Sequence, residues 1–174
     1  MGEFFGYGSL VNLATHDYPG ARPVKVRGWA RAWRHTALRE VAFLTAVPQD
    51  GAELDGVVAQ VPGGDWDALD LREAAYLRLV LPEGPSIYHI PEGHHAPASR
   101  AHPVLLSYLD TVVQGYLQLF GQDGVDRFFA TTQGWDAPIR DDRAAPVYPR
   151  AQGLTAEETA LVDRKLREIG ATRL

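Results

Sequence analysis

The change in hydrophobic spacing near residue 100 is the feature that most limits the folds open to this chain of 174 residues. Before it, short apolar runs end at glycine or proline, a pattern typical of strands joined by turns. After it, apolar residues recur every three or four positions, which predicts helices. We therefore expect an α+β protein whose first two thirds are rich in strands and whose last third is helical.

Short apolar or alternating runs are predicted to form the strands. They are residues 3–7, 23–35, 41–47, 54–61, 78–81 and 86–90. The run at 23–35 alternates apolar and basic residues, so one of its faces is expected to be buried. The turn sequence PQDGAE separates 41–47 from 54–61, and we expect these two runs to pair with each other as a central hairpin.

Periodic apolar residues predict four helices. They are residues 65–77, 103–121, 124–133 and 155–170. Pro103 suits the first turn of its helix, and Thr155 with Glu158 forms a capping-box pattern at the start of the last helix, which we expect to lie on the surface. The chain has no internal repeat and no long linker, so we expect a single domain over residues 1–174.

Composition limits the partners and the chemistry. The chain has a net charge of -5, 45% apolar residues and no cysteine. The negative charge argues against nucleic acid as a partner, and the lack of cysteine excludes disulfides, thiolate ligands and thiol nucleophiles. No apolar run suits a bilayer and no secretory signal is evident, so we expect a cytoplasmic protein that does not bind membranes. The abundance of arginine, alanine, glycine and proline indicates a GC-rich bacterial genome.

Glu73 is the first candidate for catalysis. The helix predicted at 65–77 has Asp65 as its N-cap and carries Trp66, Leu69 and Leu77 on one stripe, and Glu73 falls on that same stripe. Burial raises the pKa of a carboxyl group toward neutrality, which suits a general acid/base. The alternatives are that Glu73 is exposed at the edge of the stripe or forms a structural pair with an arginine.

The loop Tyr7-Gly8-Ser9-Leu10 is the second candidate. A glycine directly after a strand permits close approach of the backbone, so the following N–H groups can point together at an anion or a carbonyl oxygen. Turns of this kind are also common in β proteins without any function. The loop is therefore able to bind a ligand, but its sequence does not require one.

The two candidates together are more specific than either alone. FGYGSLVN near the N-terminus, followed after a β-rich stretch by LDLREAAY, resembles the γ-glutamylcyclotransferase superfamily, including its ChaC-type and AIG2-like branches. The family pattern is a Tyr-Gly-Ser loop after the first strand and a glutamate at the end of a short helix, commonly followed by a tyrosine. Glu73 and Tyr76 match this pattern, although they are separated by only two alanines, fewer residues than usual.

The resemblance implies a fold, a site and a reaction. The fold is a mixed β-barrel with flanking helices over roughly residues 2–120, with about 136–174 as an extension outside the match. Glu73 is the implied general acid/base, Tyr7, Gly8, Ser9, Leu10 and Tyr76 are implied substrate contacts, and no cofactor or metal is needed. In the implied reaction, the substrate's α-amine attacks its own γ-carbonyl, forming 5-oxoproline and releasing an amine or amino acid.

Several other residues are weaker candidates for a site. Tyr108 and Tyr116 are two turns apart on one predicted helix, and can line a pocket or belong to the core; Tyr116 is taken as a substrate contact. Ser9 lacks the GxSxG context of a hydrolase triad. Arg31 and Arg34, near two tryptophans, either bind a carboxylate or lie on a solvated strand face.

The histidine-rich loop gives no recognised metal-ligand spacing, so we predict no metal site there. Its candidate ligands are His89, Glu92, His94, His95 and His102. A non-catalytic module that binds a γ-glutamyl compound or another small acid on the same fold is the alternative function, and metal-dependent hydrolysis through this loop is a third. Exposed apolar residues on the long helix allow a homodimer.

Overall fold

The computed structural model describes residues 2–82 and 84–174, and it has the expected α+β composition. The strands are β1 (Gly2–Gly6), β2 (Arg22–His35), β3 (Phe43–Val61), β4 (Leu77–Val80), β5 (Ser86–His89), β6 (Ala96–Pro97), β7 (Val104–Leu105), β8 (Thr132–Gln133) and β9 (Ile139–Arg140). The helices are α1 (Asp67–Arg72), α2 (Leu106–Thr131) and α3 (Ala156–Glu168). The strands predicted at 78–81 and 86–90 are confirmed as β4 and β5.

One curled sheet forms a half-barrel around the core. Its order is β4-β5-β1-β3-β2-β6, and β8 adds to β2 in parallel. The strand β1 pairs with β3 antiparallel and with β5 in parallel, so the first strand lies in the middle of the sheet. After β1, the chain therefore passes from the centre of the sheet directly into the loop Tyr7-Gly8-Ser9-Leu10, the Tyr7 loop.

The central hairpin predicted between 41–47 and 54–61 is wrong. Both runs belong to the single strand β3, and they pair with the two halves of β2. Residues 43–48 pair with 29–34, and residues 53–58 pair with 22–27. The register shifts between Arg27 and Trp29, and Gly28 and Gly51 adopt positive φ angles of 81° and 76°. The segment PQDGAE thus interrupts the pairing without reversing the chain: residues 49–52 have no partner on β2, and the strand resumes its pairing on either side of them.

The helix α1 is shorter than the three turns predicted at 65–77. It covers six residues, with Trp66 rather than Asp65 at the N-cap, although the Asp65 carboxylate accepts the N–H of Asp67. Leu77 is not on the helical stripe but begins β4, where it is exposed. The chain leaves the helix early because β4 must reach its antiparallel partner β5.

The two helices predicted at 103–121 and 124–133 are confirmed as the two parts of α2, which breaks at Gly121 with φ 66° and ψ -167°. The helix begins at Leu106 rather than Pro103, since Val104 and Leu105 form β7. Its first part is buried against the sheet. Among the described residues, no exposed large apolar side chain lies on α2, and four lie on α1 and β4: Leu71, Leu77, Leu79 and Val80.

The last helix, α3, has the predicted capping box between Thr155 and Glu158. The expectation that it lies on the surface is wrong for one of its faces, because Leu161, Val162 and Leu166 are buried in the main core. Residues 136–174 also contribute β9, which pairs in parallel with β7 at the start of α2. Within the described residues, no helix has the length and apolarity that a membrane span requires.

Candidate active site

The Tyr7 loop connects β1 to a single turn of 3-10 helix at Ser9–Val11. Inside this turn, the N–H of Val11 donates to the carbonyl of Gly8 at 3.0 Å, and the N–H of Asn12 donates to that of Ser9 at 3.1 Å. The first N–H groups of a helical turn have no acceptor within it. The backbone N–H groups of Ser9 and Leu10 are therefore available, within this turn, for an external acceptor.

The long helix α2 holds this turn in place. The Asn12 side-chain amide donates to the Thr111 carbonyl and to Gln114 Oε1, both at 2.9 Å. Gly115 lies so close that a Cβ atom on it would be 2.6 Å from the Asn12 nitrogen. The loop thus rests against the helix backbone without room for a side chain between them.

Glu73 directly follows α1, and its N–H donates to the Leu69 carbonyl at 2.9 Å. Its side chain is 17% exposed, and its Oε1 is 3.4 Å from Nε of Arg72. The Arg72 guanidinium also donates to Ser9 Oγ at 3.3 Å and to the Thr15 carbonyl at 2.9 Å. Arg72 therefore links the glutamate to the loop. Glu73 is therefore both mostly buried and paired with an arginine, and the alternative that it is exposed is wrong.

A narrow cleft of about 30 Å³ lies between the loop and Glu73. It is lined by Phe5, Gly6, Tyr7, Gly8, Ser9, Leu10, Leu44, Glu73, Tyr76, Tyr88 and Tyr108. The predicted residues of the loop, Glu73 and Tyr76 thus come together, whereas Tyr116 is not part of the lining. The enclosed part of the cleft is about the size of one water molecule, and the rest of it is open to solvent.

Burial raises the pKa of the Glu73 carboxyl above its usual value. The positive charges of Arg72, Arg39 and Arg150 act in the opposite direction but do not outweigh the loss of hydration. A carboxyl group whose pKa is raised exchanges protons more readily near neutral pH. The environment thus suits Glu73 to accept a proton and to return it.

The raised pKa of Glu73 predicts a pH-dependent difference in stability. Because the fold disfavours the ionised carboxyl, wild type should lose stability relative to Glu73→Gln as pH rises from the unfolded pKa, about 4.3, through the higher folded pKa. The measurement is the melting temperature of both proteins between pH 4 and pH 8. We expect the value for the variant minus that for wild type to increase with pH. A decrease would mean that attraction by Arg72 dominates.

The tyrosines around Glu73 stay protonated. Burial raises the pKa values of the Tyr7, Tyr76 and Tyr108 hydroxyls. The Tyr7 hydroxyl donates to the Tyr88 carbonyl at 2.5 Å, and that of Tyr76 donates to the Leu44 carbonyl at 2.7 Å. These hydroxyls therefore bind neighbouring strands and keep the cleft free of additional negative charge.

Gly8 is required for close packing at the cleft. A Cβ atom at this position would lie 2.7 Å from the Tyr108 hydroxyl oxygen. A side chain here would collide with the wall of the cleft, in agreement with the glycine of the predicted loop.

Tyr116 lies behind the loop rather than in the cleft. It is fully buried, and its hydroxyl oxygen is 2.9 Å from the Tyr7 carbonyl and 2.7 Å from that of Asp55. An N–H of Arg31 donates to this same hydroxyl. Tyr116 therefore supports the peptide that joins Tyr7 to Gly8, whose orientation sets the direction of the Gly8 N–H.

Arg31, which contacts Tyr116, is buried as well. A solvated strand face is wrong for Arg31, which is 1% exposed and lies 4.8 Å from the Tyr116 ring centre and 4.7 Å from that of Phe128. The sequence contained an indication of this burial, because alternate residues of a strand share one face and Arg31 lies between Trp29 and Trp33 on β2. Both tryptophans are buried, as that face predicts.

The histidine-rich loop is arranged differently from a metal centre. His102 stacks on His35 with ring centres 3.9 Å apart, and its Nδ1 is 3.3 Å from Ser99 Oγ. His89 packs edge-on against Trp29 at 5.6 Å. Among residues 2–82 and 84–174, no three histidine, cysteine or acidic side chains are grouped so as to hold a metal ion.

Solved structures of other proteins are similar to this chain over most of its length. No family model and no curated protein sequence matches the chain. A solved γ-glutamyl cyclotransferase has a TM-score of 0.54 and 14% identity, covering 94% of this chain and 98% of its own. The uncharacterized protein loc79017 from Homo sapiens has a TM-score of 0.53 and 14% identity, with 92% and 97% covered. YkqA from Bacillus subtilis has a TM-score of 0.55 and 14% identity, with 76% and 56% covered.

The chain has the γ-glutamyl cyclotransferase fold. This confirms the fold expected from the Tyr-Gly-Ser loop and the glutamate that follows a short helix. The cleft with Glu73 and the Tyr7 loop is the candidate active site on that fold, and its own residues determine its chemistry.

Proposed function

We propose that this protein is a γ-glutamylcyclotransferase-like enzyme that converts the γ-glutamyl group of a small compound into 5-oxoproline and releases an amine or amino acid. The observation that carries the proposal is the position of Glu73: a mostly buried carboxylate, 3.4 Å from Arg72, facing a loop with available N–H groups. The γ-glutamyl cyclotransferase of the same fold supports this choice of reaction.

Glu73 supplies the proton transfers that the reaction needs. The substrate's α-ammonium must lose a proton before its nitrogen can attack the γ-carbonyl, and the Glu73 carboxylate accepts that proton. When the ring has closed, the C–N bond to the leaving group breaks, and Glu73 returns the proton to the departing nitrogen. The enzyme is unchanged at the end, and no protein nucleophile takes part.

The Tyr7 loop stabilises the charge that forms during ring closure. The γ-carbonyl oxygen gains negative charge as the amine attacks, and backbone N–H groups aimed at that oxygen lower the barrier. Ser9 and Leu10 provide such groups. Because nucleophile and electrophile belong to one molecule, holding the substrate in a folded conformation supplies much of the acceleration.

The direct test is release of 5-oxoproline, measured by mass spectrometry, from glutathione, γ-glutamyl amino acids and γ-glutamylamines. We expect release from at least one of them. The α-linked isomer of each dipeptide is the matched control, because its amino acid is not attached to the γ-carbonyl and cannot leave by this ring closure. Equal amino acid release from both isomers would indicate a peptidase instead.

A binding module without turnover is the alternative function. It predicts that the folded protein binds a γ-glutamyl compound or another small acid but forms no 5-oxoproline. The small enclosed volume of the cleft, about 30 Å³, is the observation that favours this alternative. Binding measured by calorimetry with the same compounds separates the two outcomes.

A further inference from the structure

A large groove lies beside the Glu73 cleft, and none of its residues takes part in the proposed proton transfers or ring closure. Its volume is about 1090 Å³, and it is formed by segments at 39–43, 100–105 and 140–149 together with Leu174. Val41, Phe43, Val147 and Tyr148 contribute apolar walls. The groove is at the upper end of the size typical for small-molecule sites, and its walls suit an apolar ligand.

The charged residues of the groove favour an acid. Arg39, Arg100 and Arg140 line it together with Glu40 and Asp141, and Asp141 is 4.0 Å from Arg173. Within the described parts of the chain, none of the three lining arginines has a carboxylate oxygen within 4.0 Å. Guanidinium groups bind carboxylates through paired N–H donors, so a carboxylate ligand complements this groove.

Arg39 is the arginine best held for this role. It is half-buried, and its guanidinium lies over the Phe43 ring, 4.7 Å from the ring centre. Its charge also reaches Glu73, since it lowers the pKa of that carboxyl. Arg39 therefore lies close enough to the cleft to interact with a molecule that occupies both spaces.

A single aromatic wall separates the groove from the cleft. Tyr108 lines the cleft, and its ring packs edge-on against Phe43 at 4.9 Å and against Tyr148 at 5.0 Å. Phe43 and Tyr148 form the opposite side of this wall and line the groove. The two spaces are therefore neighbours on either side of these rings, and a γ-glutamyl compound too long for the cleft reaches the groove when the Tyr108 side chain moves.

We propose that the groove binds the leaving group of the substrate, and that the preferred leaving group is an amino acid with a bulky apolar side chain whose carboxylate is bound by Arg39. This rests on the proposed function, because the γ-glutamyl group must occupy the Glu73 cleft. The carboxylate takes no part in the reaction: the scissile C–N bond breaks as before, and the released amino acid departs through the groove.

The test compares three ligands that differ only in the leaving group. γ-Glutamyl-phenylalanine has the apolar body and the carboxylate, γ-glutamyl-phenethylamine lacks the carboxylate, and γ-glutamyl-alanine lacks the bulk. Their affinities are measured by titration calorimetry on Glu73→Gln, with and without Arg39→Gln, so that turnover is not needed. We expect γ-glutamyl-phenylalanine to bind about tenfold or more tightly than the other two, because only it makes both contacts.

Arg39→Gln tests the contact with the carboxylate directly, because the charge of Glu73 is absent from both proteins that are compared. Arg39→Gln is expected to weaken binding of γ-glutamyl-phenylalanine about tenfold or more and to leave γ-glutamyl-phenethylamine within about twofold. Arg27→Gln is the matched control, because Arg27 is an exposed arginine of β2 that does not line the groove. It should change neither affinity.

Three results would overturn the proposal: equal affinities for the three ligands, no binding of any, or equal weakening of both aromatic ligands by Arg39→Gln. Release of 5-oxoproline by wild type is measured in parallel and judges the reaction separately. Release without the ligand preference rejects the groove and keeps the enzyme, whereas the preference without release rejects the enzyme and keeps the groove as a binding site.

Discussion

Replacing Glu73 with glutamine is expected to leave the fold intact and to lower turnover of a γ-glutamyl substrate about 10²–10⁴-fold, the usual contribution of a general acid/base. Glutamine keeps the size of the side chain and its ability to contact Arg72, but it does not accept a proton from an α-ammonium group. The measurement is kcat and KM for 5-oxoproline release, with circular dichroism to verify the fold. The loss should fall on kcat, since proton transfer belongs to the chemical step.

The matched control is Asp67→Asn, which removes an exposed carboxylate from the first turn of the same helix. We expect Asp67→Asn to retain activity within about twofold, because its charge does not reach the cleft through any contact and exposed charges are screened. Full activity in Glu73→Gln would remove Glu73 from the mechanism. Equal losses in the two variants would point to the helix rather than to the base.

Gly115→Ala is expected to destabilise the protein by forcing α2 away from the Tyr7 loop. The added Cβ would lie 2.6 Å from the nitrogen and 2.7 Å from the Cα of Asn12, so the helix and the loop must move apart. Overpacking against backbone costs about 1–3 kcal/mol. For a domain of this size, that corresponds to a decrease in melting temperature on the order of 2–12 °C, measured by calorimetry.

The matched control is Gly153→Ala, at a glycine whose added Cβ would meet no atom within 4 Å. Its melting temperature should stay within about 2 °C of wild type, because exposed substitutions change stability little. Gly115→Ala should also lower activity, since Asn12 and the Ser9–Val11 turn move with the displaced backbone. A melting temperature equal to that of the control would show that the helix and loop separate without cost.

The strands, the helices and the main candidate residues were largely predictable because their determinants are local. A glycine after an apolar run, a capping box at Thr155 and a period of three to four residues each act over a few positions. Glu73 was predicted from its offset on one helical stripe, even though α1 is half as long as expected. Its nearness to the Tyr7 loop was suggested by family resemblance and not by periodicity.

The pairing of the strands was not predictable from those local patterns. The sequence PQDGAE has the composition of a turn, but whether it reverses the chain depends on the partner strand. Here the segments on both sides of it, 43–48 and 53–58, pair with the same strand β2, while residues 49–52 have no partner on β2, and Gly28 and Gly51 have positive φ angles at this irregularity. Local turn propensity was overridden by the hydrogen bonds that both segments form with β2.

The sequence by itself determined the α+β class and the absence of thiol chemistry, because composition and short-range periodicity suffice for these, and it offered Glu73 as a candidate without deciding whether it is buried. The tertiary structure decided which distant groups meet. Arg31 contacts Tyr116 across 85 positions of the chain, and Tyr7 contacts Tyr88 across 81. Burial of a charged or polar group depends on such distant partners, and neither its own residue type nor its immediate neighbours specify them.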